Sequence, residues 1–109
     1  MSSDSSVRLS IFQEKLYARL RQVPAGKVVT YQDLAQAIGS KAYRAVGTAM
    51  NKNPFAPDVP CHRVIKANGE VGEYAHGSAA KIALLLAEGV EIQHNRIDLT
   101  RFRYHFAAD

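Results

Sequence analysis

The sequence predicts a single small domain, mainly α with short β segments, containing a helix-turn-helix of winged-helix-like kind. Three observations carry that expectation. Apolar residues recur at helical spacing in four separate stretches. Two of those stretches are joined only by Gly39-Ser40-Lys41, the short Gly-containing corner of a helix-turn-helix. The 109 residues suffice for one core and leave little room for a second. Residues 1–8 are expected to form a tail and 9–109 the domain, with no internal repeat, low-complexity segment or linker.

The first helix starts where Ser10 and Gln13 fit a capping box, and its stripe is Phe12, Leu16 and Leu20, joined by Leu9 and Val23. Pro24-Ala25-Gly26-Lys27 stops it, and Val28-Val29 reads as a short extended segment. Thr30 caps a second helix with Asp33 three residues on; Leu34, Ala35 and Ile38 face inward and Gly39 ends it. The third helix carries Ala42, Ala45, Val46, Ala49 and Met50 on one face, with Tyr43, Arg44 and Thr48 off it. Its small residues allow close backbone approach, either to a neighbouring helix or to a narrow nucleic-acid groove.

Pro54, Pro57 and Pro60 make the next stretch an ordered, irregular loop. Val64-Ile65 and Val71 flank the turn-forming Asn68-Gly69 and predict a short hairpin. Ser78 caps a last helix running to Ala87 or Glu88, with Ile82, Leu85 and Leu86 inward and Gly89 as its stop. Val90, Ile92, Ile97 and Leu99 suggest another short hairpin, and Phe102, Tyr104 and Phe106 alternate at the end.

Composition narrows the function classes. Hydrophobic residues at 47% and charged residues at 22% exclude a disordered or fibrous chain. The longest unbroken apolar run, Ile82 to Ala87, is far short of a membrane span, so no membrane partner is expected. The first six residues lack the basic-then-apolar pattern of a secretory signal. Net charge is +4, yet residues 8–66 hold ten Lys/Arg against three acidic residues, and the remainder holds four against seven. A basic first half suits either a polyanion partner or a soluble surface. The one cysteine, Cys61, forms no internal disulfide or multi-cysteine zinc site; it is either an inert buried thiol or a nucleophile in a reducing compartment.

The chemistry is concentrated in Pro60-Cys61-His62-Arg63-Val64-Ile65. A thiol needs deprotonation to attack, and His62 is the nearest base in sequence. Neighbours on an extended strand point to opposite faces, so their cooperation requires a bend after Pro60 or a bridging water.

This hexapeptide resembles the active-site motif of the 6-O-alkylguanine-DNA alkyltransferases, also called methylated-DNA–protein-cysteine methyltransferases. The similarity continues through Pro24-Ala25-Gly26-Lys27-Val28-Val29-Thr30-Tyr31, Ala45-Val46-Gly47-Thr48-Ala49-Met50, Asn53-Pro54, Gly69-Glu70-Val71-Gly72-Glu73-Tyr74, Lys81 and Glu88-Gly89-Val90. The resemblance implies a suicide repair protein that flips alkylated guanine out of duplex DNA and keeps the alkyl group on Cys61 as a thioether. His62 would take the thiol proton through a water, Glu88 would orient His62, and Asn53 would brace the turn. Tyr31 would crowd the phosphate and protonate the departing guanine, and Arg44 would fill the place of the flipped base. Ala45, Thr48 and Lys52 would complete the DNA contact, while Met50, Val64, Tyr74, Ala75 and His76 would line the base pocket. No metal or other cofactor is implied.

Two departures bear on these expectations. Family members often carry a further N-terminal domain, and fewer than ten residues precede the first helix here. His76 stands where many relatives have a small residue, which would restrict large alkyl groups if the imidazole faces the pocket. The alternatives are an alkyltransferase-like damage sensor, which carries another residue at the place of Cys61, and a plain helix-turn-helix regulator, which needs neither the Cys61-His62 pair nor Glu88. A monomer in a DNA-containing compartment inside the cell, cytoplasm or nucleus, is expected; recruitment of other repair proteins is left open.

Overall fold

The computed structural model describes residues 10–55, 58–72, 74 and 77–106. Helix α1 (Ile11–Leu20) opens on the expected box: Ser10 Oγ accepts from the Gln13 amide at 3.1 Å and Gln13 Oε1 accepts from the Ser10 amide at 3.0 Å. Strand β1 (Val29–Thr30) leads directly into α2 (Tyr31–Ala37), where Thr30 and Asp33 make the second predicted box at 3.0 and 3.1 Å. Gly39, at φ +72°, provides the left-handed turn, and α3 (Tyr43–Asn51) follows as the second arm of the helix-turn-helix. Beyond the proline-rich loop lie strand β2 (Val64–Ile65), helix α4 (Ser78–Ala87) and the short α5 (Leu99–Phe102).

The two strands run parallel, with Val29 opposite Val64 and Thr30 opposite Ile65. Alternation across this pair divides the interior. Val29 and Val64 join Leu16, Tyr17, Leu20, Leu34, Val46 and Met50 in a first cluster under α1 to α3. Val28 and Ile65 join Val71, Leu85, Val90 and Ile97 in a second cluster under α4 and the C-terminal segment.

Several expectations are corrected. Val64-Ile65 does not form a hairpin with Val71. The Asn68-Gly69 turn closes, with the Lys66 amide on the Glu70 carbonyl at 2.9 Å, but β2 takes β1 as its partner and the Val71 amide goes to the Asn95 carbonyl. Ala42 precedes α3 as its N-cap, and Ala42 and Ala45 are exposed, so the buried face of that helix is Val46, Ala49 and Met50. Ser78 lies inside α4 and its side chain caps nothing; Gly77, at φ +96°, holds the cap position. Leu86 is 52% exposed, and Lys81 is buried in its stead with Leu85. The 78–87 helix is not the last, because Asp98 caps α5 through the Thr100 amide at 3.0 Å and takes Leu99 out of the expected hairpin. What remains of that hairpin is a tight turn at His94-Asn95, closed by the paired amides and carbonyls of Gln93 and Arg96. Phe102 therefore ends a helix, while Tyr104 and Phe106 meet each other edge-to-face and pack against the first cluster. Leu9 and residues 1–8 lie outside the described residues.

Candidate active site and nucleic-acid interface

Cys61 stands at the start of a single 3-10 turn, Cys61–Arg63. The Cys61 amide donates to the Val59 carbonyl at 2.8 Å and the Arg63 amide donates to Pro60 at 2.9 Å. Asn53 fastens the same point from the other side of the loop. Its Nδ2 donates to the Val59 carbonyl at 2.7 Å, and its Oδ1 accepts from the Phe55 amide at 2.9 Å. At three residues per turn, successive side chains diverge by about 120° rather than alternating as on a strand. The bend that the sequence required after Pro60 is thus this turn. It sits directly before β2, so the parallel pairing with β1 fixes its position in the core.

Cys61 is 3% exposed and His62 1% exposed. His62 Nε2 lies 2.9 Å from Glu88 Oε2 at the end of α4. Arg63 binds the same carboxylate through Nε at 2.9 Å and Nη2 at 2.6 Å, and its Nη1 donates to the Val23 carbonyl at 2.7 Å. Burial alone would raise the Glu88 pKa, but the bonds from Arg63 and His62 outweigh it and hold the carboxyl below its usual range. Glu88 is therefore an ionised acceptor, and Nε2 must donate to it. That leaves Nδ1 as the unprotonated nitrogen. It is buried and has no hydrogen-bond partner among the described residues. Burial is also the main reason the His62 pKa is lowered; Glu88 opposes the shift, and the Arg63 and Lys81 charges reinforce it.

Two tyrosines flank the thiol. Burial, and then the neighbouring Cys61 thiol, raise the Tyr74 pKa. Its ring meets His62 edge-on at 6.5 Å between centroids. Tyr17 donates its hydroxyl to the Ala49 carbonyl of α3 at 2.7 Å and is likewise pushed up by burial first. Met50 and Val64, expected to line a base pocket, have their side chains in the first core cluster together with Cys61. The Val64 carbonyl accepts from Lys81 Nζ at 2.7 Å, and that ammonium lies 6.0 Å from the centre of the Tyr31 ring. Ala75 and His76 lie outside the described residues.

Two depressions on the surface are open. Arg44 and Tyr31 line one cleft of about 360 Å³ with Tyr43, Gly47, Asn51 and Lys66. Ala45, Thr48 and Lys52 line a separate depression of about 330 Å³ with Phe12 and Gln13. The structure thus brings Tyr31 to Arg44, and Cys61 to His62, Glu88, Asn53 and Tyr74. Among the described residues no three His, Cys, Asp or Glu side chains cluster as metal ligands, and no helix is long and apolar enough to cross a membrane.

Sequence reasoning gave no role to Arg63, Lys81 or Tyr17. Arg63 is counted there with the basic surface, and only its place directly after Cys61-His62 marks it out. Lys81 lies one helical turn before Leu85, on the face that is buried, which is the available signal for it.

A family model described as 6-O-methylguanine DNA methyltransferase, DNA binding domain, matches residues 11–90. A methylated-DNA--protein-cysteine methyltransferase of Methanosarcina acetivorans is 49% identical over 79 residues, covering 72% of this chain and 51% of that protein. The crystal structure of Mycobacterium tuberculosis OGT in complex with DNA aligns with TM-score 0.71 and 41% identity over 74% of this chain and 51% of that one. S. pombe Atl1, in complex with damaged DNA containing O6-carboxymethylguanine, aligns with TM-score 0.78 and 30% identity over 90% of this chain and 98% of that one. The chain spans about half or less of the length of the curated relatives it matches.

Proposed function

The chain belongs to the 6-O-methylguanine-DNA methyltransferase family, and on that premise we propose that it repairs duplex DNA by moving the alkyl group of 6-O-alkylguanine irreversibly onto Cys61. The observation that carries the reading is the bare, buried Nδ1 of His62, held next in chain to Cys61 by a ring whose other nitrogen is committed to Glu88. That is the geometry of a base awaiting a proton.

In the proposed step the thiol proton passes through a water to Nδ1, and the sulfur attacks the carbon on guanine O6. The C–O bond breaks, the C–S bond forms, and the guanine leaves with its new charge met by a proton from the Tyr31 hydroxyl. The resulting imidazolium is stabilised by Glu88. A thioether does not hydrolyse, so each molecule acts once.

A base inside a duplex is out of reach of a buried thiol, and extrusion costs a few kcal/mol. Arg44 would fill the vacated stack through the minor groove, a role supported by its exposure on α3 and by the cleft it lines with Tyr31. The DNA complexes of the M. tuberculosis and S. pombe relatives support DNA as the partner. Ala45, Thr48 and Lys52 continue the proposed contact face. A monomer in a DNA-containing compartment completes the reading.

The near-complete overlap with Atl1 favours a second reading, a sensor that binds and flips the lesion without accepting its alkyl group. Mass spectrometry after mixing with an oligonucleotide containing 6-O-methylguanine separates the two. A gain of one CH2 on the Cys61 peptide supports transfer; tight, lesion-specific binding without mass gain assigns the sensor. Indifference to the lesion refutes both.

A further inference from the structure

We propose that Arg63 is a positioning residue of the relay: by gripping both oxygens of Glu88 it makes His62 carry its proton on Nε2 and keep Nδ1 bare. This rests on the transfer reading above but is measurable apart from it. A carboxylate held at one point only can rotate and offer either oxygen. Here Arg63 Nε takes Oε1 at 2.9 Å and Nη2 takes Oε2 at 2.6 Å, a two-point grip that a guanidinium makes and an ammonium does not. Its third bond, from Nη1 to the Val23 carbonyl at 2.7 Å, anchors the grip to the segment following α1. Oε2 therefore stays where Nε2 meets it, 2.9 Å away.

The arrangement has a second consequence. A lone carboxylate would strongly favour the imidazolium and keep His62 protonated, hence useless as a base, over a wider acid range. Arg63 shares the charge of Glu88 and removes part of that pull. The charged and titratable groups around the ring are Glu88 and Lys81 from α4, Arg63 and Cys61 from its own turn, and the Tyr74 ring edge. Of these only Glu88 favours the proton on Nδ1; Arg63 and Lys81 oppose it.

The test is a nitrogen NMR titration of the His62 ring, with transfer rate against pH, in the parent, Arg63→Met and Arg63→Lys proteins. Arg63→Met is expected to raise the His62 midpoint by about one pH unit. The acid limb of the transfer profile moves with it, and the plateau rate falls at least about tenfold. Arg63→Lys keeps the charge, so its midpoint stays near the parent's, while the lost two-point grip populates the Nδ1–H tautomer and lowers the plateau. A purely structural role would lower the melting temperature and leave midpoint and tautomer in place. An unchanged midpoint in folded Arg63→Met overturns the proposal. Should that variant fail to fold, an Arg63→Lys protein with the parent's tautomer overturns it. The NMR readings decide Arg63 even if the parent protein transfers no alkyl group, an outcome that would defeat the proposed function instead.

Discussion

Two arginines, Arg63 and Arg44, mark the two working regions of this molecule, and their surroundings differ in every respect. Arg63 has a side chain 16% exposed, makes three hydrogen bonds and is spent entirely inside the protein, on Glu88 and a backbone carbonyl. Arg44 is exposed, lines an open cleft and makes no hydrogen bond or ion pair to any described residue. The first region resembles a finished circuit in which one nitrogen, His62 Nδ1, lacks a partner; the second is a surface whose long side chains await one. A guanidinium inside a circuit sets proton positions, and the same group on an open helix face contributes charge and reach. Removing residues from the first region should therefore damage the chemistry, and from the second the handling of duplex DNA.

The largest effect is expected from Cys61→Ala, which should abolish transfer while lesion-containing duplex is still bound, because the proposed phosphate and groove contacts lie on α3. Loss of binding by a folded variant would erase the boundary between the regions. His62→Ala should slow transfer by about 10²- to 10⁴-fold, the usual worth of a positioned base, with DNA affinity nearly unchanged. Single-turnover rates and a binding isotherm on one preparation check both halves of that statement.

The pH dependence sharpens the same point. The base must be neutral, so transfer should fall as pH drops through the His62 pKa. Burial holds that value low, so the rate should remain flat below the ordinary histidine value of about 6.5. A fall beginning above that value would mean that another group titrates. Asn53→Ala leaves the Phe55 amide without its acceptor and Val59 without one donor, and should cost about 1–3 kcal/mol in denaturant unfolding.

The smallest effect concerns a pair outside both regions, Asp33 with Arg103. Burial opposes ionisation of Asp33, but the bonds from Arg103 and Thr30 prevail and lower its folded pKa. A depressed folded pKa stabilises the protein above the unfolded value, and that stability is lost as pH falls through the folded one. The stability gap between the parent and Arg103→Ala should be full at neutral pH and close in acid, which urea titrations at several pH values would read.

What was legible in the sequence was local. Ser10 with Gln13 and Thr30 with Asp33 specify their caps within one turn, and both boxes form as expected. The hexapeptide around Cys61 and the place of Glu88 pointed to a relay, and His62 and Glu88 are within hydrogen-bond reach. What was illegible depends on partners distant in the chain. Helix α4, Ser-Ala-Ala-Lys-Ile-Ala-Leu-Leu-Leu-Ala, offers several equivalent apolar stripes, and periodicity alone favoured Leu86 over Lys81. The choice was made by the Val64 carbonyl, which gives the buried Lys81 ammonium an acceptor. The parallel pairing of Val64-Ile65 was hidden for the same reason, since the nearby Asn68-Gly69 turn suggested a local partner. A charge count placed Arg63 on the surface because it could not register Glu88.

The division of labour between the two regions is tested most directly by Arg44→Ala measured on two substrates, 6-O-methylguanine in duplex DNA and the free base. Only the duplex requires extrusion, so the account predicts a rate loss of about a hundredfold on the duplex and less than about twofold on the free base. A folded Arg44→Ala protein that loses rate equally on both, or on neither, would contradict it.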